Sequence, residues 1–275
     1  MMSKTKPTVV WFQAITCNGN THSLLSSNTN KFELFLDNFE LIYHPSLTID
    51  KILQDVLNQE EKIDFLLIEG SISSNKDFFT INEDSTFNYL NKLASKSKYI
   101  IEIGRALKNE NLKNLKYQIV NLTGCPVHPE WIFQTLYTLN TFGTILLDEE
   151  ARPKELYGTL AHHGCTKNEY FEWKIEGGFG QKEGCLFYEQ GCRGPMTHSS
   201  CNKILWNDIN SKTRVGMPCI GCTEVDFPRN DMLETKKNMG IPLDVPLGIS
   251  KRAYLSITGV AKTFKIDRLH KKIVD

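Results

Sequence analysis

The sequence predicts an α/β fold in which a parallel sheet is covered on both faces, followed by a region that must hold its shape by other means. Three observations predict it. Over the first 148 residues, short apolar and β-branched runs alternate with segments of helical spacing, the pattern that builds parallel sheets. Beyond that point the periodicity fades and glycines punctuate the chain, at 177, 178, 180, 191, 194, 216 and 221. Six of the 8 cysteines fall between positions 165 and 222. The expected domains are therefore residues 1–148 and 149–275, and cross-links such as metal clusters are the natural support for the second.

Each element of the sheet half has its own signal. Thr8–Ala14 (TVVWFQA) is apolar and leads through the polar turn Thr16–Thr21 into Ser23–Leu25. Glu40–Tyr43 is a short strand stopped by His44-Pro45. Residues 49–60 place Ile52, Leu53, Val56 and Leu57 on one helical face. Asp64–Ile68 has the continuous apolar run of a buried strand and ends in Glu69-Gly70-Ser71. Asp84–Ser97 reads as a helix with Phe87, Leu90 and Leu93 inward. Tyr99–Ile103 ends in Gly104, Tyr117–Leu122 ends in Thr123-Gly124-Cys125-Pro126, and Glu130–Leu139 reads as a further helix. Ligands of parallel sheets gather at the carboxyl ends of strands. Cys17, Glu69, Gly104 and Cys125 all follow such ends, so Cys17 and Cys125 are expected on one edge.

Composition narrows the function. Lys+Arg is 32 and Asp+Glu is 32, a balance that argues against a strongly electrostatic nucleic-acid partner. No apolar run approaches the roughly 18–20 residues of a membrane span. The polar stretch 1–7 lacks a secretory apolar core and a twin-arginine pair, so the expected location is the cytoplasm. In a reducing compartment a dense cysteine group favours metal binding over ordinary or redox thiols and over disulfides.

The candidate ligands run in the order His162, Cys165, Cys185, Cys192, Cys201, Cys219, Cys222. Cys219-Ile220-Gly221-Cys222 is a CxxC that presents two thiolates from one turn, and alone it suits zinc, iron–sulfur or redox chemistry. His162 precedes Cys165 by three residues. Glycines stand beside Cys185 and Cys192, where they let backbone approach a cluster and its amides donate to sulfur.

The full string is more specific than its parts. GCLFYEQGCRGPMTHSSCNKILWN (184–207) and RVGMPCIGCTEVDFP (214–228) resemble the small, iron–sulfur subunit of nickel–iron hydrogenases, and look closest to the cytoplasmic, cyanobacterial uptake-type branch. The resemblance extends to VVWFQAITCNGNTHSLL (9–25), FELIYHPSL (39–47), IEGS (68–71), NLTGCPVHPEWI (121–132) and VAKTFKIDRL (260–269).

The resemblance implies a flavodoxin-like parallel-sheet N-terminal domain and an irregular iron–sulfur C-terminal domain. It also implies electron relay between a nickel–iron large subunit and a redox partner protein, with membrane contact at most peripheral. By the family's pattern, His162, Cys165, Cys185 and Cys192 match the ligands of a distal 4Fe-4S cluster, and Cys201, Cys219 and Cys222 those of a medial 3Fe-4S cluster. Cys17 and Cys125 match two ligands of a proximal cluster. There the chain departs from the pattern: Asn20 stands where the family commonly has a second cysteine, as in the closest branch, and Gly104-Arg105-Ala106-Leu107 replaces a cysteine-bearing turn. The resemblance thus implies a degenerate proximal site. Glu69 matches a family glutamate that faces the partner's active site, or else is a solvated carboxylate. Hydrogen cleavage would belong to the large subunit, because this chain lacks the paired CxxC motifs that hold nickel. The lost proximal ligands leave a second reading open, a hydrogenase-like accessory or maturation protein. His–Cys₃ also leaves a zinc-binding structural protein open. Tyr254, Leu255, Ile257 and Val260 are expected inward on a basic amphipathic helix over Lys251–Lys272.

Overall fold

The computed structural model describes residues 5–47, 53–58, 62–73, 80–81, 84–104 and 119–261. The chain divides into two compact units, residues 1–155 and 156–275.

The first unit is built on a sheet of five parallel strands. These are β1 (Thr8–Gln13), β2 (Glu40–Tyr43), β3 (Ile63–Glu69), β6 (Ser97–Gly104) and β7 (Ile119–Thr123), in the order β2-β1-β3-β6-β7. The pair β4 (Thr80–Ile81) and β5 (Asp84–Ser85) is a separate antiparallel ribbon. Taken over the five sheet strands alone, this is the doubly wound order of flavodoxin-like sheets, with the chain reversing direction across the sheet beside the first strand. β1 and β3 are buried along nearly their whole length, which is why their sequences read as unbroken apolar runs.

Helices α1 (Gly19–Leu25), α2 (Thr29–Asn38), α3 (Leu53–Asn58), α4 (Thr86–Lys96) and α5 (Pro129–Phe142) accompany the sheet. Their ends are set by local chemistry. The Asn28 side chain accepts from the Asn30 amide, Ser85 from the Asn88 amide, and His128 Nδ1 from the Glu130 amide. Pro129 opens α5, where no amide hydrogen is needed, and Gly143 closes it at φ +73°. Val10, Phe12, Leu66 and Ile68 from β1 and β3 pack with Leu90, Leu93 and Ala94 of α4 and Ile100 of β6. Phe35, Phe39, Phe65, Phe133 and Tyr137 form a second, aromatic layer with ring centroids 5.1–5.8 Å apart.

The second unit contains little regular structure. It has two 3₁₀ turns (Ala161–Gly164 and Gly194–Met196), the short helix α6 (Asn168–Glu172), a ribbon of β8 (Lys237–Asn238) and β9 (Ile241–Pro242), and helix α7 (Lys251–Ala261). Its core is Leu186, Phe187, Tyr188, Met196 and Tyr254 packed with Cys185, Cys192 and Cys219. Thiols thus stand where a larger domain would place aliphatic side chains. The inward face expected for the C-terminal helix shrinks to one residue: Tyr254 is 3% exposed, while Leu255, Ile257 and Val260 are 39%, 59% and 58% exposed. The cause is that a single turn of α7 rests on the core, and the remainder of the expected helix, residues 262–272, lies outside the described residues. Among the described residues no helix is long and apolar enough to cross a membrane.

Candidate metal centre

In the first unit, the carboxyl ends of the strands bring Cys17 and Cys125 to one edge, each with its thiol exposed. The two loops are tied together by their neighbours. Asn20 Oδ1 accepts from the Val127 amide at 2.9 Å, and Ser23 Oγ donates to the Val127 carbonyl at 2.6 Å. A Cβ placed on Gly19 would lie 3.3 Å from Cys17 Sγ and 3.8 Å from Pro126 Cβ, so the two cysteine loops meet at Gly19. Asn20 itself is buried and its carboxamide is engaged with backbone. It is a brace between loops rather than a spare ligand. Arg105 and Ala106 lie outside the described residues.

Glu69, at the end of β3, is fully buried, which overturns its reading as a solvated carboxylate. Thr21 Oγ1 donates to it at 2.5 Å, Trp11 Nε1 at 2.9 Å, Thr16 Oγ1 at 3.2 Å, and the amides of Asn20 and Thr21 at 3.0 and 3.2 Å. Burial alone would raise its pKa. The donors from Thr21, Trp11 and the two amides outweigh that and hold the carboxyl below its usual range. A charge so heavily hydrogen-bonded pins the loop after β1 to the end of β3. With two exposed thiols, an engaged carboxamide and an engaged carboxylate, the described residues of this edge do not fit a four-iron cluster, which takes four ligands.

The second unit differs. One cavity is walled by His162, Cys165, Cys185 and Cys192, and Lys167, Phe187, Asn202 and Thr213 are among its other lining residues. The 3₁₀ turn Ala161–Gly164 brings His162 and Cys165 to this wall. Cys185 and Cys192 come from the loop before and the turn opening Gly194–Met196. Burial, helped by His163, lowers the His162 pKa to about 4, so its imidazole is neutral and able to ligate. Burial pushes the Cys185 thiol up to about 12 and Cys192 up to about 11, so a metal taken here must displace protons. Backbone amides already face the sulfurs: Lys167 N donates to Cys165 Sγ at 3.4 Å, and Phe187 N to Cys185 Sγ at 3.4 Å. Phe171 packs edge-on against the His162 ring at 4.4 Å and fixes its plane. The donor set is soft, enclosed and supplied with amide donors, as an iron–sulfur cluster requires.

Cys201, Cys219 and Cys222 form a neighbouring group. Cys219 is raised well above the ordinary thiol value by burial and then by Cys192, Cys201 and Cys222. Cys201 is raised by burial and by Cys222, against a hydrogen bond with Ser199. The three thiols therefore sit within mutual electrostatic reach, and Cys219 also reaches the first set. Among the described residues no three His, Cys, Asp or Glu groups close on a point as one metal ion demands. Gly184 serves a different purpose from the one its neighbour suggests: at φ +76° a Cβ there would stand 2.3 Å from the Glu176 carbonyl, so the glycine admits a strand-like contact rather than a cluster.

Comparison with known proteins separates this site from a generic thiol pocket. The family model for the C-terminal part of the NiFe/NiFeSe hydrogenase small subunit matches residues 157–234, a span that contains all seven ligand candidates of the second unit. The family model "NADH ubiquinone oxidoreductase, 20 Kd subunit" matches residues 17–139, which contain Cys17 and Cys125. The periplasmic [NiFe] hydrogenase small subunit of Solidesulfovibrio fructosivorans is 28% identical over 254 residues, covering 82% of this chain and 81% of that one. The corresponding protein of Nitratidesulfovibrio vulgaris, a periplasmic [NiFe] hydrogenase small subunit 1, is 29% identical, covering 81% and 80%. Over most of its length the chain is similar to the small subunits of nickel–iron hydrogenases. A solved [NiFeSe] hydrogenase of Desulfovibrio vulgaris Hildenborough superposes on this chain with a TM-score of 0.73 at 25% identity, covering 85% of this chain and 99% of that one.

Two contributors to this site are not singled out by the sequence. Asn202 donates from Nδ2 to the Ala161 carbonyl at 2.6 Å and accepts from Thr213 Oγ1 at 2.9 Å, locking the turn that carries His162. Lys167 is buried in the same wall with its ammonium on main-chain carbonyls. The only signal for Lys167 was a basic residue two positions after Cys165.

Proposed function

We propose that this hydrogenase small subunit relays electrons between a nickel–iron large subunit and a redox partner protein through two clusters in its second unit. His162, Cys165, Cys185 and Cys192 would hold the outer, 4Fe-4S one, and Cys201, Cys219 and Cys222 the middle, 3Fe-4S one. When bound, such clusters supply single-electron storage and transfer. The chain's own residues do the rest. The neutral His162 imidazole replaces one thiolate and lightens the negative charge of its site. Phe171, Phe187 and Leu186 exclude water around it. Amides of Lys167 and Phe187 stabilise charge on sulfur. The cavity walled by one imidazole and three thiols carries this reading.

The proximal site is proposed to be degenerate, with Cys17 and Cys125 as its remaining thiols. The relationship to hydrogenase small subunits over most of the chain favours an electron-transferring role over an accessory one. Asn20, where the cyanobacterial uptake-type branch also has asparagine, supports that branch. A cysteine-rich chain whose thiolates bind metal suits a reducing cytoplasm, with any membrane contact peripheral.

Anaerobic co-purification with counts of iron, sulfide and nickel tests the proposal. A brown chain should come down with a nickel-bearing partner. A colourless, zinc-bearing chain would refute the cluster assignment, and a brown chain without any nickel partner would return the accessory reading.

A further inference from the structure

The wall of the outer cavity holds a positive charge that the ligand set does not explain. Lys167 is 4% exposed, and lysine is almost never buried without a partner. Its Nζ donates to the carbonyl oxygens of Gln181 at 2.7 Å, Gly184 at 3.0 Å and Glu183 at 3.4 Å. An ammonium has three N–H donors and no acceptor, and here each donor has one carbonyl. A neutral amine would have only two donors for the three. The same side chain lines the cavity with His162, Cys165, Cys185 and Cys192. Its backbone begins at the turn after Cys165, and the carbonyls it binds belong to the loop that ends at Cys185. The ammonium is thereby held at a fixed place between two of the ligand loops.

We propose that Lys167 is a positioning residue that sets the reduction potential of the outer cluster through its fixed charge. The inference rests on the ligand assignment given above. Reduction adds one electron and one negative charge to the cavity, with no proton leaving Lys167. A cation anchored in a low-dielectric wall interacts more favourably with that added charge than with the oxidised state. Lys167 therefore makes the site easier to reduce, in the same sense as the His162 imidazole. The alternative is that Lys167 only clamps the loop 181–184 in place. The two differ in what a change of charge does at constant structure.

The experiment is a potentiometric titration of the anaerobically purified complex, with dithionite as the reductant and the paramagnetic signal of the outer cluster as the readout. Lys167→Gln keeps two amide donors for the carbonyls and removes the charge. Lys167→Met removes both, and Lys167→Arg keeps the charge. The expected result is full iron in Lys167→Gln with a potential shifted to more negative values, and a potential close to wild type in Lys167→Arg. A wild-type potential in Lys167→Gln overturns the proposal. So do equal shifts in the Gln and Arg variants, because charge would then not be the cause. Loss of outer-cluster iron from both neutral variants, with retention in Lys167→Arg, decides for the clamp and against tuning. The wild-type cluster signal must also vanish in Cys165→Ala; a signal that survives this change refutes the ligand assignment itself, independently of the Lys167 variants.

Discussion

The amide nitrogen of Cys219 donates to Sγ of Cys192 at 3.3 Å, and the amide of Arg193 returns a bond to the Cys219 carbonyl at 2.7 Å. One residue belongs to the proposed four-ligand set and the other to the proposed three-ligand set. The two sets therefore share a hydrogen-bonded seam and cannot be loosened separately.

That seam predicts a wide effect from one substitution. Cys192→Ala removes a ligand, a core side chain and the acceptor for Cys219. With clusters bound as proposed, the unit would draw much of its folding energy from them. Limited proteolysis should cut within residues 160–225 of the variant while the sheet unit survives. Equal resistance of variant and wild type would show that these thiols are ordinary core residues.

His162 should tune its site and not merely occupy it. Exchanging imidazole for thiolate makes the cluster more negative and harder to reduce. His162→Cys is expected to keep its iron and titrate at a lower potential. His163→Ala should change little, because His163 is outside the cavity lining and its Nδ1 lies 3.5 Å from Thr159 Oγ1. A potential that moves with His163 and not with His162 would exchange their roles.

Iron analysis tests the degenerate edge. With both sets in the second unit full and the edge at Cys17 and Cys125 empty, the fully loaded chain should carry about seven irons. A count of about ten or more, with a third Mössbauer component, would show that a cluster does assemble there.

Glu69 should make the protein sensitive to acid. Its folded pKa is held below the usual value of about 4.3. Its stabilisation is therefore complete above the unfolded pKa and is lost as pH falls through the lower folded one. Glu69→Gln should cost about 2 kcal/mol at neutral pH, because Thr21, Trp11 and two amides lose a charged acceptor. Denaturation curves of the two proteins should draw together below about pH 4. A gap that is constant with pH would mean that the carboxylate charge contributes nothing.

The sheet was readable because burial on both faces leaves continuous apolar runs, as in Asp64–Ile68. Parallel strands also send their loops to one edge, which is enough to place Cys17 beside Cys125. The ligand order from His162 to Cys222 was readable because cysteine is scarce and its spacing is fixed by turns. The environment of Glu69 was not, since its donors come from residues 11, 16, 20 and 21 and nothing in Glu69-Gly70-Ser71 announces them. Lys167 was missed because its acceptors are main-chain carbonyls, which every residue has. The last helix was over-read: periodic apolar residues at 255, 257 and 260 gave it an inner face that the core does not meet.

The engaged carboxamide of Asn20 bears on any attempt to build a four-ligand cluster site at this edge by mutation. Its Oδ1 holds the Val127 amide, and its Nδ2 stands 3.1 Å from where a Cβ at Gly104 would lie. Asn20→Cys would supply a ligand and at the same stroke remove one of the two bonds that hold Val127, leaving only that from Ser23 Oγ. Position 104 offers no substitute, because its φ of +131° would strain any side chain placed there. Repair of this edge is thus a coupled problem: a retrofit must pair the new thiol with a substitute tether for Val127, and single replacements scored one at a time would all look like failures.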